Sequence, residues 1–298
     1  MTLIDKYGRP VNGLRVSITN LCNYNCIFCH REGVFNEDEY ELNRSDWRFL
    51  FETAVELGIR SFKITGGEPF LRKDIVDIIR DIVELGGLVS IVTNGSLLDN
   101  YVDKLVDIGI DHINISLHSL NPKTYRELTG GDLDRILLNI DRLIENNIRV
   151  KINYVVLKQN IGEYMDLIKY AVIREIDLNI IELIPLGIDY SLWSSIHVPI
   201  NPIIDYLERV SSGKYIRDFQ SRPVYRVGNI EITVIKGFCN KELCSKCTRL
   251  RMTPSGYLKT CLFTQATIDS RKYILNRDKN GLMNAFKEAV EKREPFFK

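Results

Sequence analysis

Between residues 14 and 211, short apolar runs alternate with longer stretches whose apolar positions recur at helical spacing. The runs at 14–19, 61–65, 88–93, 112–117, 150–156 and 179–184 are of strand length and rich in Ile and Val. The stretches at 45–57, 74–85, 97–108, 132–146 and 161–175 read as amphipathic helices, the first with Ser45 as N-cap and Gly58 as its stop. Six strands alternating with helices predict parallel βαβ units. A closed eight-unit barrel takes about 250 residues, whereas this repeat ends near residue 211. The pattern therefore predicts an α/β fold, an open (incomplete) TIM-like (βα)6 barrel, with a doubly wound sheet as the competing architecture. Either one gathers ligands at the carboxyl ends of its strands. After Ser211-Ser212-Gly213 the pattern changes: 223–227 and 230–235 read as a hairpin around Gly228-Asn229, and 282–292 as a terminal helix. The expected division is a barrel over 1–213 and a small C-terminal domain over 214–298.

The chain has 298 residues, 45% hydrophobic and 27% charged, enough for a sizeable core. Its net charge of +1 gives no global attraction to nucleic acid or to an anionic membrane. An anionic ligand would need a local cluster of Lys and Arg. The opening MTLIDKYGRP has no apolar stretch of the kind a secretory signal carries, and no apolar run approaches the roughly 18–20 residues of a membrane span. The expectation is a soluble, cytoplasmic protein.

The chemistry concentrates in cysteine. CNYNCIFC places Cys22, Cys26 and Cys29 on one loop directly after the first strand, with Phe28 just before the third thiol. Three soft thiolates can hold three irons of a cubane cluster and leave the fourth iron open to bind and reduce a ligand. A structural zinc loop completed by His30 is the alternative, although zinc loops pair their cysteines as CxxC. Four of the seven cysteines lie late: Cys239, then Cys244 and Cys247 in CSKC, then Cys261 after thirteen intervening residues. Without a secretory signal, clustered cysteines point to metal rather than disulfides. Zinc with Cys239 as the fourth thiolate is the alternative for this set.

Gly66-Gly67-Glu68-Pro69 follows the second strand, where the glycines permit close approach of a ligand and Glu68 can accept from an ammonium. Thr93 and Ser116, at strand ends, can bond a ligand or cap the segments that follow. Arg15 sits at an alternate position of an apolar strand, where a buried charge costs several kcal/mol unless paired. It is matched to a ligand anion or to a core carboxylate. Arg249 and Arg251 alone would read as a solvated alternating face.

The cysteine loop resembles the signature of the radical S-adenosylmethionine enzymes, in which the open iron chelates the methionine group of the cofactor. That resemblance implies cofactor contacts at Phe28, Gly66, Gly67, Glu68 and Ser116. The late stretch TRLRMTPSGYLKTCLF resembles the C-terminal motif of the GTP 3′,8-cyclases, the molybdenum cofactor biosynthesis protein A family, and the likeness runs from Arg15 to about Phe263. It implies two [4Fe–4S] clusters, on Cys22, Cys26 and Cys29 and on Cys244, Cys247 and Cys261. It also implies S-adenosylmethionine as cofactor and GTP contacts at Arg15, Lys63, Thr93, Lys151, Arg249 and Arg251. In the implied reaction a 5′-deoxyadenosyl radical takes hydrogen from ribose C3′ and the carbon radical attacks guanine C8, with no acid or base residue assigned. An external reductant supplies electrons, and a cyclic pyranopterin monophosphate synthase consumes the product; a homodimer is left open.

Three departures from the family pattern stand out: the extra Cys239, an ending in EPFFK in place of a double glycine, and Asn179 near where an arginine is expected. Two other functions compete: a radical enzyme with an auxiliary cluster that modifies peptides, and a non-catalytic Fe–S or zinc protein.

Overall fold

The computed structural model describes residues 2–35, 40–238 and 240–296. A sheet of 12 strands runs through the molecule. Its strands are β1 (Gly13–Ser17), β2 (Ser61–Thr65), β3 (Leu88–Thr93), β4 (His112–Ser116), β5 (Val150–Val156), β6 (Asp177–Glu182), β7 (Gly213–Arg217), β8 (Arg222–Val227), β9 (Ile230–Ile235), β10 (Arg249–Met252), β11 (Tyr257–Lys259) and β12 (Ile268–Asp269). In space they run β12-β11-β10-β1-β2-β3-β4-β5-β6-β9-β8-β7, so the sheet stays open with β12 and β7 at its edges. Strands β1 to β6 are mutually parallel, each reached through helical crossovers. A small ribbon, Leu3–Ile4 with Pro10–Val11, stands outside the sheet.

The six predicted strands and the hairpin are present, with ends shifted by at most two residues. Residues after 213 extend the sheet at both ends: β9 runs parallel to β6, and β10 parallel to β1. Helices differ more. Asn43, not Ser45, caps Arg44–Glu56, because its side chain accepts from the Asp46 amide while Asp46 accepts from the Asn43 amide. The predicted helix at 97–108 is a short 3-10 turn followed by Val102–Ile108, and that at 161–175 is a turn followed by Tyr164–Ile173. Helix Pro122–Thr129, unread in the sequence, starts on an Asn121 cap with Pro at its first turn and ends at left-handed Gly130.

Each central strand alternates its two faces. Leu14, Val16, Phe62, Ile64, Leu250 and Met252 are buried toward the helices, where Phe62 meets Phe51 edge-on at 5.3 Å. The opposite face carries Arg15, Lys63, Lys151, Arg249 and Arg251. Strand pairing aligns Lys259, Arg251, Arg15 and Lys63 across four neighbouring strands. Buried charges on such a face need polar partners, from the protein or from a ligand.

Candidate active site

After β1 the backbone passes over the end of β2 and locks onto it. The Gly67 amide donates to the Thr19 carbonyl at 2.8 Å and the Glu68 amide to the Leu21 carbonyl at 2.7 Å. A Cβ on Gly67 would lie 2.0 Å from the Leu21 carbonyl oxygen, and one on Gly66, at φ +149°, would lie 2.4 Å from that of Thr19. The neighbour that demands both glycines is the chain's own approach to the cysteine loop.

Glu68 is fully buried. One carboxylate oxygen accepts from the Thr93 hydroxyl at 2.7 Å and the Phe70 amide at 3.1 Å, the other from the Asn94 amide at 2.8 Å. Burial pushes its carboxyl up to about 7 against these bonds. Asn94 in turn donates to Asn23 inside the cysteine loop at 2.9 Å, and Asn23 donates to Ser96 at 2.9 Å. Glu68 and Thr93 thus brace the turn against which the loop rests.

Helix Pro122–Thr129 supports the loop from the other side, its last carbonyls accepting from the Asn25 and Ile27 amides at 3.1 and 3.0 Å. Phe28 is buried edge-on against His118, centroids 4.7 Å apart. Ser116 ends β4 half-buried, in register with Asn153. The Cys22 and Cys29 side chains are exposed and Cys26 is half-buried. Burial first, then Cys29 and Cys22, pushes the Cys26 thiol up to about 12, so the three sulfurs feel one another. Such thiols bind as thiolates only when a cation takes the protons' place, and this donor set fits an iron–sulfur cluster. Among the described residues, no three His, Cys, Asp or Glu side chains converge on a single ion point. A cubane asks less of them, since each thiolate takes its own iron. His30, the candidate zinc ligand, accepts from the Glu32 amide at 3.0 Å through Nδ1.

The polar face holds the cations. Arg15 grips Glu32 with two bonds, at 2.8 and 2.5 Å, and Arg251 reaches the same carboxylate at 2.7 Å. The core carboxylate that Arg15 required is therefore Glu32, which the sequence did not single out. Burial alone would raise the Glu32 carboxyl, but Arg15, His30 and Arg251 hold it well below the usual carboxylate range. Lys151 pairs with Asp177 at 3.1 Å. Lys63 has no ion-pair partner among the described residues; burial, then Arg249, Arg15, Lys151 and Arg222, depresses its ammonium strongly. Burial and the neighbouring arginines push Arg249 down to about 9 and Arg222 to about 10.

Arg222 is a member that the sequence reading missed; its one signal is a basic residue at the mouth of the predicted hairpin. The Arg222 and Arg249 guanidinium groups both pack on the Phe219 ring, 5.2 and 4.6 Å from its centroid. Asn179, where an arginine is expected, donates to Asn153 at 2.8 Å.

The late cysteines border this row. Cys247 and Cys261 both act on Arg251, and Cys247 also acts on Arg249 and Arg222. Gln220 donates to the Cys247 sulfur at 3.7 Å. Cys239 lies outside the described residues.

An open, mostly parallel sheet with a CxxxCxxC loop at its carboxyl rim defines a class, and comparison with known families agrees. The Radical SAM superfamily matches residues 16–171, and Molybdenum Cofactor Synthesis C matches 176–298. The fold is shared with Streptococcus suis SuiB bound to S-adenosylmethionine: TM-score 0.66 at 19% identity, covering 86% of this chain and 62% of SuiB. A protein of Pyrobaculum aerophilum named probable GTP 3′,8-cyclase is 35% identical, over 99% of this chain and 98% of its own. One of the same name from Methanocaldococcus jannaschii is 36% identical, over 99% of each. The chain belongs to the GTP 3′,8-cyclase family of the radical SAM superfamily.

Proposed function

We propose that the chain converts GTP to (8S)-3′,8-cyclo-7,8-dihydroguanosine 5′-triphosphate, the first step of molybdenum cofactor biosynthesis. The observation that carries this reading is the row of cations aligned across β10, β1 and β2. Arg15, Lys63, Arg222, Arg249 and Arg251 lie close enough to act on one another, only Arg15 and Arg251 pair with the Glu32 carboxylate, and the excess positive charge suits a triphosphate. A near-neutral chain has no other reason to bury so many like charges.

Cys22, Cys26 and Cys29 would hold a [4Fe–4S] cluster that supplies the electron for reductive cleavage of S-adenosylmethionine. Phe28, Gly66, Gly67, Glu68 and Ser116 would shape the cofactor's side of the rim. Cys244, Cys247 and Cys261 would hold a second cluster facing substrate. Arg15, Lys63, Lys151, Arg249 and Arg251 would fix the triphosphate, with Thr93 near the nucleotide. Holding GTP between the two cysteine sets keeps its ribose within reach of the cofactor and shut off from solvent. Residues 1–213 would then hold the cofactor together with Arg15, Lys63, Thr93 and Lys151 of the substrate site, and 214–298 the second cluster with Arg249 and Arg251. Among the described residues no helix is long and apolar enough to cross a membrane. We place the enzyme in the cytoplasm, supplied by a reducing electron donor and passing product to a cyclic pyranopterin monophosphate synthase, with a homodimer compatible with this scheme.

The test is anaerobic reconstitution with iron and sulfide, then reduction with GTP and S-adenosylmethionine together. Equal yields of 5′-deoxyadenosine and the cyclic nucleotide are expected. Cofactor cleavage that ignores GTP would refute the substrate.

A further inference from the structure

The segment before β1 and the segment after the last helix meet at the CxxC loop. Asp5 and Arg9 flank the turn of the small ribbon, where the Asp5 carboxylate accepts from Arg9 Nε at 2.7 Å and forms an ion pair, without hydrogen-bond geometry, with Arg293 Nη1 at 3.0 Å. All three are buried, at 5%, 7% and 2% exposure. Arg9 Nη1 donates to the carbonyl oxygen of Cys244 at 2.8 Å, and Arg293 Nη2 donates to that of Cys247. The rest of the Arg9 fork holds the chain just beyond Arg293: Nη2 donates to the Glu294 carbonyl at 2.7 Å and Nη1 to that of Pro295 at 3.1 Å. Two guanidinium groups balanced by one carboxylate leave a net positive charge buried behind both cysteines.

We propose that Asp5, Arg9 and Arg293 are positioning residues for the second iron–sulfur cluster, gripping the carbonyls of both CxxC cysteines and setting the charge behind them. This rests on the reading that Cys244, Cys247 and Cys261 hold such a cluster. A buried ion triad that only joined segments could bond any backbone; this one bonds the two cysteines' own carbonyls. The Cys244 carbonyl also accepts the Cys247 amide at 3.2 Å, so Arg9 fixes the turn that spaces the two sulfurs. The positive charge stabilises an anionic thiolate cluster and favours its reduced form, because cluster potential follows nearby charge and hydrogen bonding. The triad also engages residues 294–295, whose carbonyls complete the Arg9 fork beside Cys244.

The experiment compares wild type with Arg9→Lys, Arg293→Lys and Asp5→Asn. Each is reconstituted anaerobically and followed by iron content, chelator-driven iron release, and redox titration of the electron paramagnetic resonance signals. Added S-adenosylmethionine marks the first cluster by perturbing its signal. We expect the unperturbed signal to shift in potential and its iron to leave roughly tenfold faster or more, while the perturbed signal keeps its potential. Wild-type release rates and potentials in all three variants would overturn the proposal. So would a uniform loss of thermal stability of the cluster-free proteins without selective change at the second cluster, since that is what a merely structural brace gives. Wild type holding only about four irons would instead overturn the two-cluster reading, so the two failures are distinguishable.

Discussion

Lys63→Met should make the ligand-free protein more stable and bind GTP less well, two effects of opposite sign from one side chain. The Lys63 ammonium has no ion-pair partner among the described residues, and burial together with Arg249, Arg15, Lys151 and Arg222 works against its charge. Methionine keeps the unbranched length and removes the charge. Replacing poorly compensated buried charge by apolar volume is worth on the order of 1–4 kcal/mol. At about 2–4 °C per kcal/mol for a chain somewhat smaller than this one, Tm should rise by several degrees. The depressed pKa means that the unfolded chain binds the extra proton. Wild-type stability therefore climbs with pH from the folded value toward the ordinary lysine value, about 10.4. The advantage of the variant is full below that window and fades as pH rises through it. In the proposed phosphate clamp GTP would reverse the balance, since a phosphate would be the partner the ammonium lacks. Losing a charge-assisted bond of about 1.5–3 kcal/mol weakens Kd roughly tenfold to a hundredfold. Scanning calorimetry of the cluster-free protein at several pH values and anaerobic GTP titration measure the two effects. A fall in Tm would mean that the cation is paired, and an unchanged Kd would mean that it does not meet substrate; either result refutes the reasoning.

Cys26→Ala should abolish 5′-deoxyadenosine formation while the late cysteines keep about four irons; cleavage that persists would remove the first loop from the chemistry. Gly67→Ala would set a methyl 2.0 Å from the Leu21 carbonyl oxygen. It should cost about 1–3 kcal/mol and the same cleavage activity, and wild-type Tm and turnover would show that the interlock is not needed.

The parallel α/β sheet was legible because its strands are short, β-branched runs with a helix between each pair, a pattern shared with doubly wound sheets, and the end of the repeat near residue 211 favoured the open barrel. Even Arg15 could be read as anomalous, since a lone charge at an alternate strand position needs a partner. Its actual partner could not be read: Glu32 lies 17 residues on, in a turn of unusual backbone, and only the fold brings them together. The later strands escaped for a related reason. β10 is four residues and β11 three, and each is a strand because it pairs with β1 or with its neighbour, not because of local propensity. Arg222 was hidden in the same way, its membership decided by packing against Phe219. The CxxC loop could be singled out as a candidate metal motif, but the arginines behind it come from both flanks of the chain.

Glu32 also explains how the two halves of the site keep register. It follows Cys29 by three residues, in a turn where Arg31, Glu32 and Gly33 all have positive φ, 44°, 52° and 66°. Such backbone in non-glycine residues costs of order 1 kcal/mol or more each and persists only where its surroundings enforce it. Here Lys259 enforces it: its buried ammonium donates to the carbonyls of Glu32 and Gly33. The turn carries the Glu32 carboxylate to Arg15, Arg251 and Thr65 at once. One rigid segment thus begins at the first cysteine set and ends on the arginines that border the second. In the proposed reaction a radical generated at one set would have to meet a ribose held at the other, and a displacement of about 1 Å is enough to cost a hundredfold in rate. A short strained turn fixed by a buried lysine transmits less displacement than a relaxed loop, and this gives a physical reason for the strain to lie here.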